Sequence, residues 1–290
     1  MDLKRNFRTI LFFLAVSSKI FPFEMGAMFH IENLSFKKDR TVAETGFSSS
    51  DLTWGLSSVI AHSTPDKWGF DIKFDSNLPL RNILYSYLTF STEYFNFKIG
   101  PTLGLFNSTE EIIKFGLSGE VLVEYPGKIF LSMGGITTPG GDLTKSGEYL
   151  QTGGNIVFGF YVPNAICSFY ISTKRYTEKI SSGKSIDKMN EYYFNIKIFE
   201  KNIAYKINIK IGYQRLIKEF TGTFTTKNIV NSIILGTALD IEISNYLVLR
   251  FDIDNSLYSF GQENLTGTNM KKYFFKISSG FLLDISAMKK

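Results

Sequence analysis

The chain has 290 residues, 44% of them hydrophobic and 20% charged, with 28 Phe, 15 Tyr, a mean hydropathy of +0.00 and a formal net charge of +5. Apolar side chains at that density with so neutral a mean must be dispersed among polar ones, and no internal run approaches the roughly 18 apolar residues of a membrane-spanning helix, which excludes a helical membrane protein. The mild positive charge forms no dense Lys/Arg cluster, so there is no case for nucleic acid, and the lone Cys167 permits no internal disulfide.

The first segment, MDLKRNFRTILFFLAVSS, places Lys4, Arg5 and Arg8 ahead of the apolar run Thr9 to Val16. That order is a secretory signal, too short to stay as an anchor. Residues 1–27 are assigned to it, with Ala27 as the small residue before patterned sequence and Ser17 or Ser18 as alternative cleavage positions. Its removal takes away four basic and two acidic side chains and leaves a charge of +3. Residues 28–290 then form one domain.

Weak strand candidates come first, at residues 28–36 and 52–62. In the next segment Trp68, Phe70, Ile72 and Phe74 alternate with Gly69, Asp71, Lys73 and Asp75. After a weak candidate at 82–91, Phe95, Phe97 and Ile99 alternate with Asn96, Lys98 and Gly100; then Ile113, Phe115, Leu117, Val121, Val123 and Tyr125 oppose Lys114, Ser118, Glu120 and Glu124. Candidates at 128–136, 150–161 and 165–175 lead to Tyr192, Phe194, Ile196 and Ile198 against Asn195 and Lys197. The clearest row is YKINIKIGY, where Tyr205, Ile207, Ile209, Ile211 and Tyr213 oppose Lys206, Asn208 and Lys210. Residues 229–243 follow, then Leu247, Leu249, Phe251 and Ile253 against Arg250, Asp252 and Asp254, and last Tyr273, Phe275, Ile277, Phe281, Leu283 and Ile285 against Lys272, Lys276, Ser278 and Asp284. A period of two sustained over about ten residues marks a strand with unlike faces. The segments make about fourteen strands, within a range of roughly 12 to 16.

Short turns such as STPDK, STEY, YPGK, VPNA, EKN and SN alternate with longer polar connections: KKDRTVAETGFSSS, TTPGGDLTKSGEY, YTEKISSGKSIDKM, LIKEFTGTFTTK and FGQENLTGTNMK. An all-β, antiparallel up-and-down transmembrane barrel has this layout, with short periplasmic turns, longer external loops and both termini on the periplasmic side. A soluble sandwich or barrel would alternate in the same way with its apolar face inward. Three features favour the inverted arrangement. The apolar rows are long enough to cross a bilayer, about 26 Å along the strand and about 20 Å of height for Tyr205 to Tyr213. They also end in amphipathic rings that prefer headgroup level: Trp54, Tyr192, Tyr213 and Tyr273 at the external rim, Trp68, Tyr125 and Tyr205 at the periplasmic rim. A Lys or Arg facing mid-bilayer costs roughly 2 to 4 kcal/mol, and the parity of Lys197, Lys206, Lys210 and Arg250 already turns them to the lumen.

In signal, alternation and loop asymmetry the chain resembles bacterial outer-membrane β-barrel proteins of the porin-like class across residues 28–290. That resemblance implies a bacterial outer-membrane location, outer-membrane lipid around the barrel and the barrel-assembly machinery as a partner. One departure is the end, FLLDISAMKK, where Phe281 stands well short of the terminus in place of a terminal aromatic residue.

Fourteen strands enclose a backbone cylinder about 28 Å across, wide enough for water. Lumen-facing charged candidates are Lys197, Lys206, Lys210, Asp240, Glu242, Arg250, Asp252, Asp254 and Lys276. They form either opposed clusters with a transverse field or a salt-bridged lining, and adjacent strands favour pairing. Catalysis finds no footing: the two histidines, His30 and His62, are expected at the periplasmic end, and two His with one Cys assemble no ordinary metal site. SSGKS has the end of a P-loop, but Glu178 stands where its first Gly belongs. The expected function is a passive porin-like channel for small hydrophilic solutes, with no enzyme activity and no cofactor. Two alternatives stay open: an adhesin or binding protein whose external loops contact host or matrix ligands, and a transporter of apolar substrates.

Overall fold

The computed structural model describes residues 23–32, 53–62, 67–78, 81–105, 113–141, 148–180, 183–200, 203–222, 225–263 and 275–285. They form fourteen strands: β1 (Glu24–Glu32), β2 (Thr53–His62), β3 (Lys67–Leu78), β4 (Arg81–Ser91), β5 (Phe95–Leu105), β6 (Ile113–Tyr125), β7 (Ile129–Gly141), β8 (Glu148–Val162), β9 (Ala165–Ile180), β10 (Gly183–Phe199), β11 (Tyr205–Gly222), β12 (Thr225–Ser244), β13 (Leu247–Glu263) and β14 (Phe275–Asp284). Each pairs antiparallel with its neighbours in sequence, and β1 pairs with β14, Ala27 opposite Phe281 and Ile31 opposite Ile277, so the sheet closes into a barrel. Closure removes every sheet edge, which suits a chain with no disulfide to hold it together.

Tight turns gather at the end of the barrel that holds the start of β1 and the end of β14. Thr92 Oγ1 accepts the backbone N–H of Phe95 at 3.0 Å between β4 and β5. Gly127 (φ 69°) and Asn164 (φ 62°) supply the left-handed backbone that two of the other turns need.

Two stretches read as loops are largely strand. YTEKISSGKSIDKM continues β9 to Ile180 and opens β10 at Gly183, and LIKEFTGTFTTK continues β11 to Gly222 and opens β12 at Thr225. The backbone ladder runs on, but the outward side chains become mixed, with Ile186 and Ile217 standing among Lys184, Lys188 and Glu219, so the hydrophobic period that advertised the strands ends before they do. β1 likewise begins at Glu24 rather than near residue 28, and Glu24 to Ala27 pair with Asp284 to Phe281 on one side and Ala61 to Ser58 on the other. His30 therefore lies within the wall, between Gly55 and Ser278 and only 2% exposed, instead of at the end of the strand.

Contacts that skip a strand identify the concave face, because side chains two strands apart converge only inside a curved sheet. Lys98 on β5 reaches Asp71 on β3 at 3.4 Å, Tyr87 on β4 meets Ser118 on β6 at 2.9 Å, Tyr161 on β8 donates to Glu124 on β6 at 2.6 Å, and Lys210 on β11 reaches Asp254 on β13 at 3.0 Å. Lysines, carboxylates and hydroxyls thus point into the bore. The opposite parity, including Phe70 and Ile72 on β3, Phe115 and Leu117 on β6, Phe169 and Ile171 on β9 and Ile207, Ile209 and Ile211 on β11, is exposed on the outer wall.

Candidate functional site

The largest group of charged side chains on the inner wall spans β10 to β14. Lys197 lies 3.8 Å from Asp240, and Arg250 Nε lies 3.4 Å from the same carboxylate, so one acid balances two cations. Lys206 pairs with Glu242, and Lys210 holds both oxygens of Asp254 at 3.0 and 3.1 Å. The last pair crosses β12 above Gly236, where a Cβ would stand 2.2 Å from Asp254 Oδ1 and 3.2 Å from Lys210 Cδ. A glycine at this position leaves the hollow in which the two side chains lie along the wall. Lys210 Nζ also sits 4.5 Å from the centroid of Tyr193, which stacks on Tyr170 at 4.4 Å. A continuous row therefore runs from ring to ring to ammonium to carboxylate across β9, β10, β11 and β13. Asp252 and Lys276 share the inward parity; in register Asp252 stands opposite Ser278, and Lys276 opposite Asp254 and Glu32.

The bore has a second charged region on β3 to β7. Lys98 bridges Asp71 and, at 3.9 Å, Glu120, whose other oxygen accepts Ser132 Oγ at 2.9 Å. Between the two charged regions β7 to β10 present aromatic rings. Phe130 covers Gly159, where a Cβ would meet the ring at 2.2 Å, and it packs against Tyr161 at 5.7 Å. The charged candidates of the first region share one face, and Lys197, Lys206, Lys210, Asp240, Glu242, Arg250 and Asp254 meet as pairs on nearby strands rather than as separate clusters across the bore. Paired charges keep the local field small while leaving hydrogen-bonding groups in place for water.

On the outer wall Trp54, Tyr192, Trp68, Tyr125 and Tyr205 are exposed, and Tyr213 is half-buried beside Tyr192 at 6.1 Å. Tyr273 lies outside the described residues.

No family model and no curated relative matches the sequence. Among solved structures the chain is similar to a bacterial polysaccharide outer membrane secretin (8% identity, TM-score 0.48, covering 91% of this chain and 98% of that one). It is also similar to a monoaromatic hydrocarbon channel (9%, TM-score 0.45, 91% and 88%) and to an anion-selective porin from Comamonas acidovorans (10%, TM-score 0.41, 90% and 98%).

The region formed by Asp71, Lys98 and Glu120 was visible in sequence only as three charges of inward parity on separate strands. Their convergence depends on strand stagger, which alternation does not encode. The inward tyrosines Tyr85, Tyr87, Tyr161, Tyr170 and Tyr193 carried no signal at all, since a tyrosine suits a lipid rim and a wet lumen equally well.

Proposed function

We propose that the chain is an outer-membrane barrel of a diderm bacterium, exported through its N-terminal signal, and that it works as a passive porin-like channel for small hydrophilic solutes. The observation that carries this reading is the inversion of the wall: ion pairs inside, contiguous exposed Phe, Ile, Leu and Met outside. A water-soluble monomer rarely exposes an apolar patch beyond a few hundred Å², and this barrel is apolar on its outer face nearly all the way round. Lipid is the solvent that matches it. A lining of paired charges, hydroxyls and tyrosines suits passage of hydrated solutes of either sign. The test is reconstitution of the folded protein into a planar bilayer: discrete current steps are expected, and a heat-modifiable, folded preparation that never produces them refutes the channel.

A further inference from the structure

Above the ring formed by Tyr192 and Tyr213, the outward positions of β9 to β12 change character. On β11 the row Ile209, Ile211, Tyr213 continues as Arg215, Ile217, Glu219; on β10 Tyr192 gives way to Asn190, Lys188, a buried Ile186 and Lys184; on β9 Ile171 is followed by Thr173 and Arg175; on β12 Ile233 is followed by Asn231, a buried Ile229 and Lys227. Register places these side by side: Arg175 opposite Lys188, Asn190 opposite Arg215, Glu219 opposite Lys227. Among the described side chains, five cations thus share one outer surface with a single carboxylate. Glu219 is occupied by Lys188 at 3.3 Å and Lys227 at 3.8 Å. Arg175, Lys184 and Arg215 form no ion pair among the described residues, and Arg215 Nε is buried without a hydrogen-bond partner.

The lumen is more nearly balanced, although Lys73 and Lys276 form no ion pair among the described residues. There Lys98, Lys197, Lys206, Lys210 and Arg250 each have a carboxylate. Like charges on adjacent strands repel, so an unbalanced set implies a counter-charge from outside the chain. Its height says which. Arg215 lies two residues beyond Tyr213, about 5 Å further from the membrane centre, and Arg175 and Lys188 four residues beyond Ile171 and Tyr192, about 10 Å. The polar headgroup layer is roughly 5 to 7 Å deep on each side of the hydrocarbon, and long basic side chains on its outer edge reach back into it.

We propose that the outer surface of β9 to β12 binds the phosphate groups of anionic lipids in the outer leaflet, with Arg175, Lys188 and Arg215 as the central contacts and Lys184 and Lys227 flanking them. Arg215 offers its forked donors at phosphate depth. The site rests on the membrane reading above and gives the barrel one lipid-clamping side.

The test uses the full barrel reconstituted into vesicles of phosphatidylcholine with and without one part in three of phosphatidylglycerol, followed by detergent extraction and mass analysis of the retained lipid. Wild type is expected to retain phosphatidylglycerol over phosphatidylcholine, and to lose that preference in high salt. Each basic residue near an anionic surface contributes about fivefold, so the combination Arg175→Gln, Lys188→Gln and Arg215→Gln is expected to lose retention about a hundredfold. The lumen variant Lys206→Gln is expected to leave it unchanged. If the triple variant does not fold, Arg175→Gln with Lys227→Gln, both at exposed positions, is expected to lose about 25-fold. Equal retention of the two lipids by wild type, undiminished retention in the variants, or displacement by millimolar inorganic phosphate alone overturns the lipid site. Failure of wild type to insert into either vesicle is a separate outcome, and it overturns the membrane reading itself.

Discussion

Placing a charge on the outer wall at a chosen depth tests the inversion directly. Ile209 is exposed on the outer face of β11, four residues from Tyr205 and four from Tyr213. Four residues are about 13 Å along the strand and about 10 Å of height at the tilt of a barrel strand, which puts Ile209 at the middle of the hydrocarbon. Ile209→Lys is therefore expected to destabilise the barrel by the full mid-bilayer penalty, about 2 to 4 kcal/mol, equivalent to roughly 30- to 900-fold in the folding equilibrium. Ile217→Lys makes the same chemical change on the same face, but Ile217 lies four residues beyond Tyr213. Near the interface the penalty falls to about 0 to 1 kcal/mol. Equilibrium urea titration of refolding into lipid vesicles measures both. A water-exposed isoleucine gives a change within about 0.5 kcal/mol, so an Ile209→Lys variant as stable as wild type, or equal losses at the two positions, refutes the lipid-facing wall.

Three further outcomes follow from the lining and the closing strand. Asp240→Asn removes the shared partner of Lys197 and Arg250, and the reversal potential across a salt gradient is expected to move toward anion preference, by up to about fivefold in permeability ratio for one charge sensed at about 4 Å through water; an unchanged ratio means these groups do not face the conducting path. Gly236→Val fills the hollow under the Lys210–Asp254 pair, so both side chains swing into the bore and single-channel conductance drops while heat-modifiable mobility is kept; full conductance contradicts the arrangement. The mature protein is expected to begin upstream of Phe23, since Phe23 O accepts Ile285 N–H at 3.1 Å and Glu24 to Ala27 pair on both sides; intact mass of protein taken from outer membranes checks this, and a start at Met28 refutes it.

What the sequence made legible is the unlike chemistry of the two faces of the wall. Trp68 to Phe74 on β3 and Tyr205 to Tyr213 on β11 read clearly because an apolar outer face and a polar bore give a strict period of two. Above Tyr192 and Tyr213 the outward row mixes Ile186, Ile217 and Ile229 with charged residues, the period lapses, and the tops of β9 to β12 read as loops. The start of β1 was hidden for a different reason: Gly26 and Ala27 are small enough to suit a processing site, but Gly26 also lets Leu282 approach to 2.6 Å from where its Cβ would be, a packing demand of the closed barrel. For the lining, parity assigned Lys210 and Asp254 to one face. It did not couple them, because their meeting depends on the register of three strands and on a missing side chain at Gly236.

The barrel closes along one of its short seams. β1 meets β14 over nine residue pairs, whereas β11 and β12 share an unbroken ladder from Tyr205–Ile241 to Thr221–Thr225. Joining the two ends of the chain also carries the largest loop-closure entropy of any pairing in the molecule. Assembly is accordingly expected to run from tall hairpins that zip up locally to a last, brief suture between the first and final strands. In the finished protein that suture is the place to fray, so amide protons of β1 and β14 exchange well ahead of those at the centre of β11.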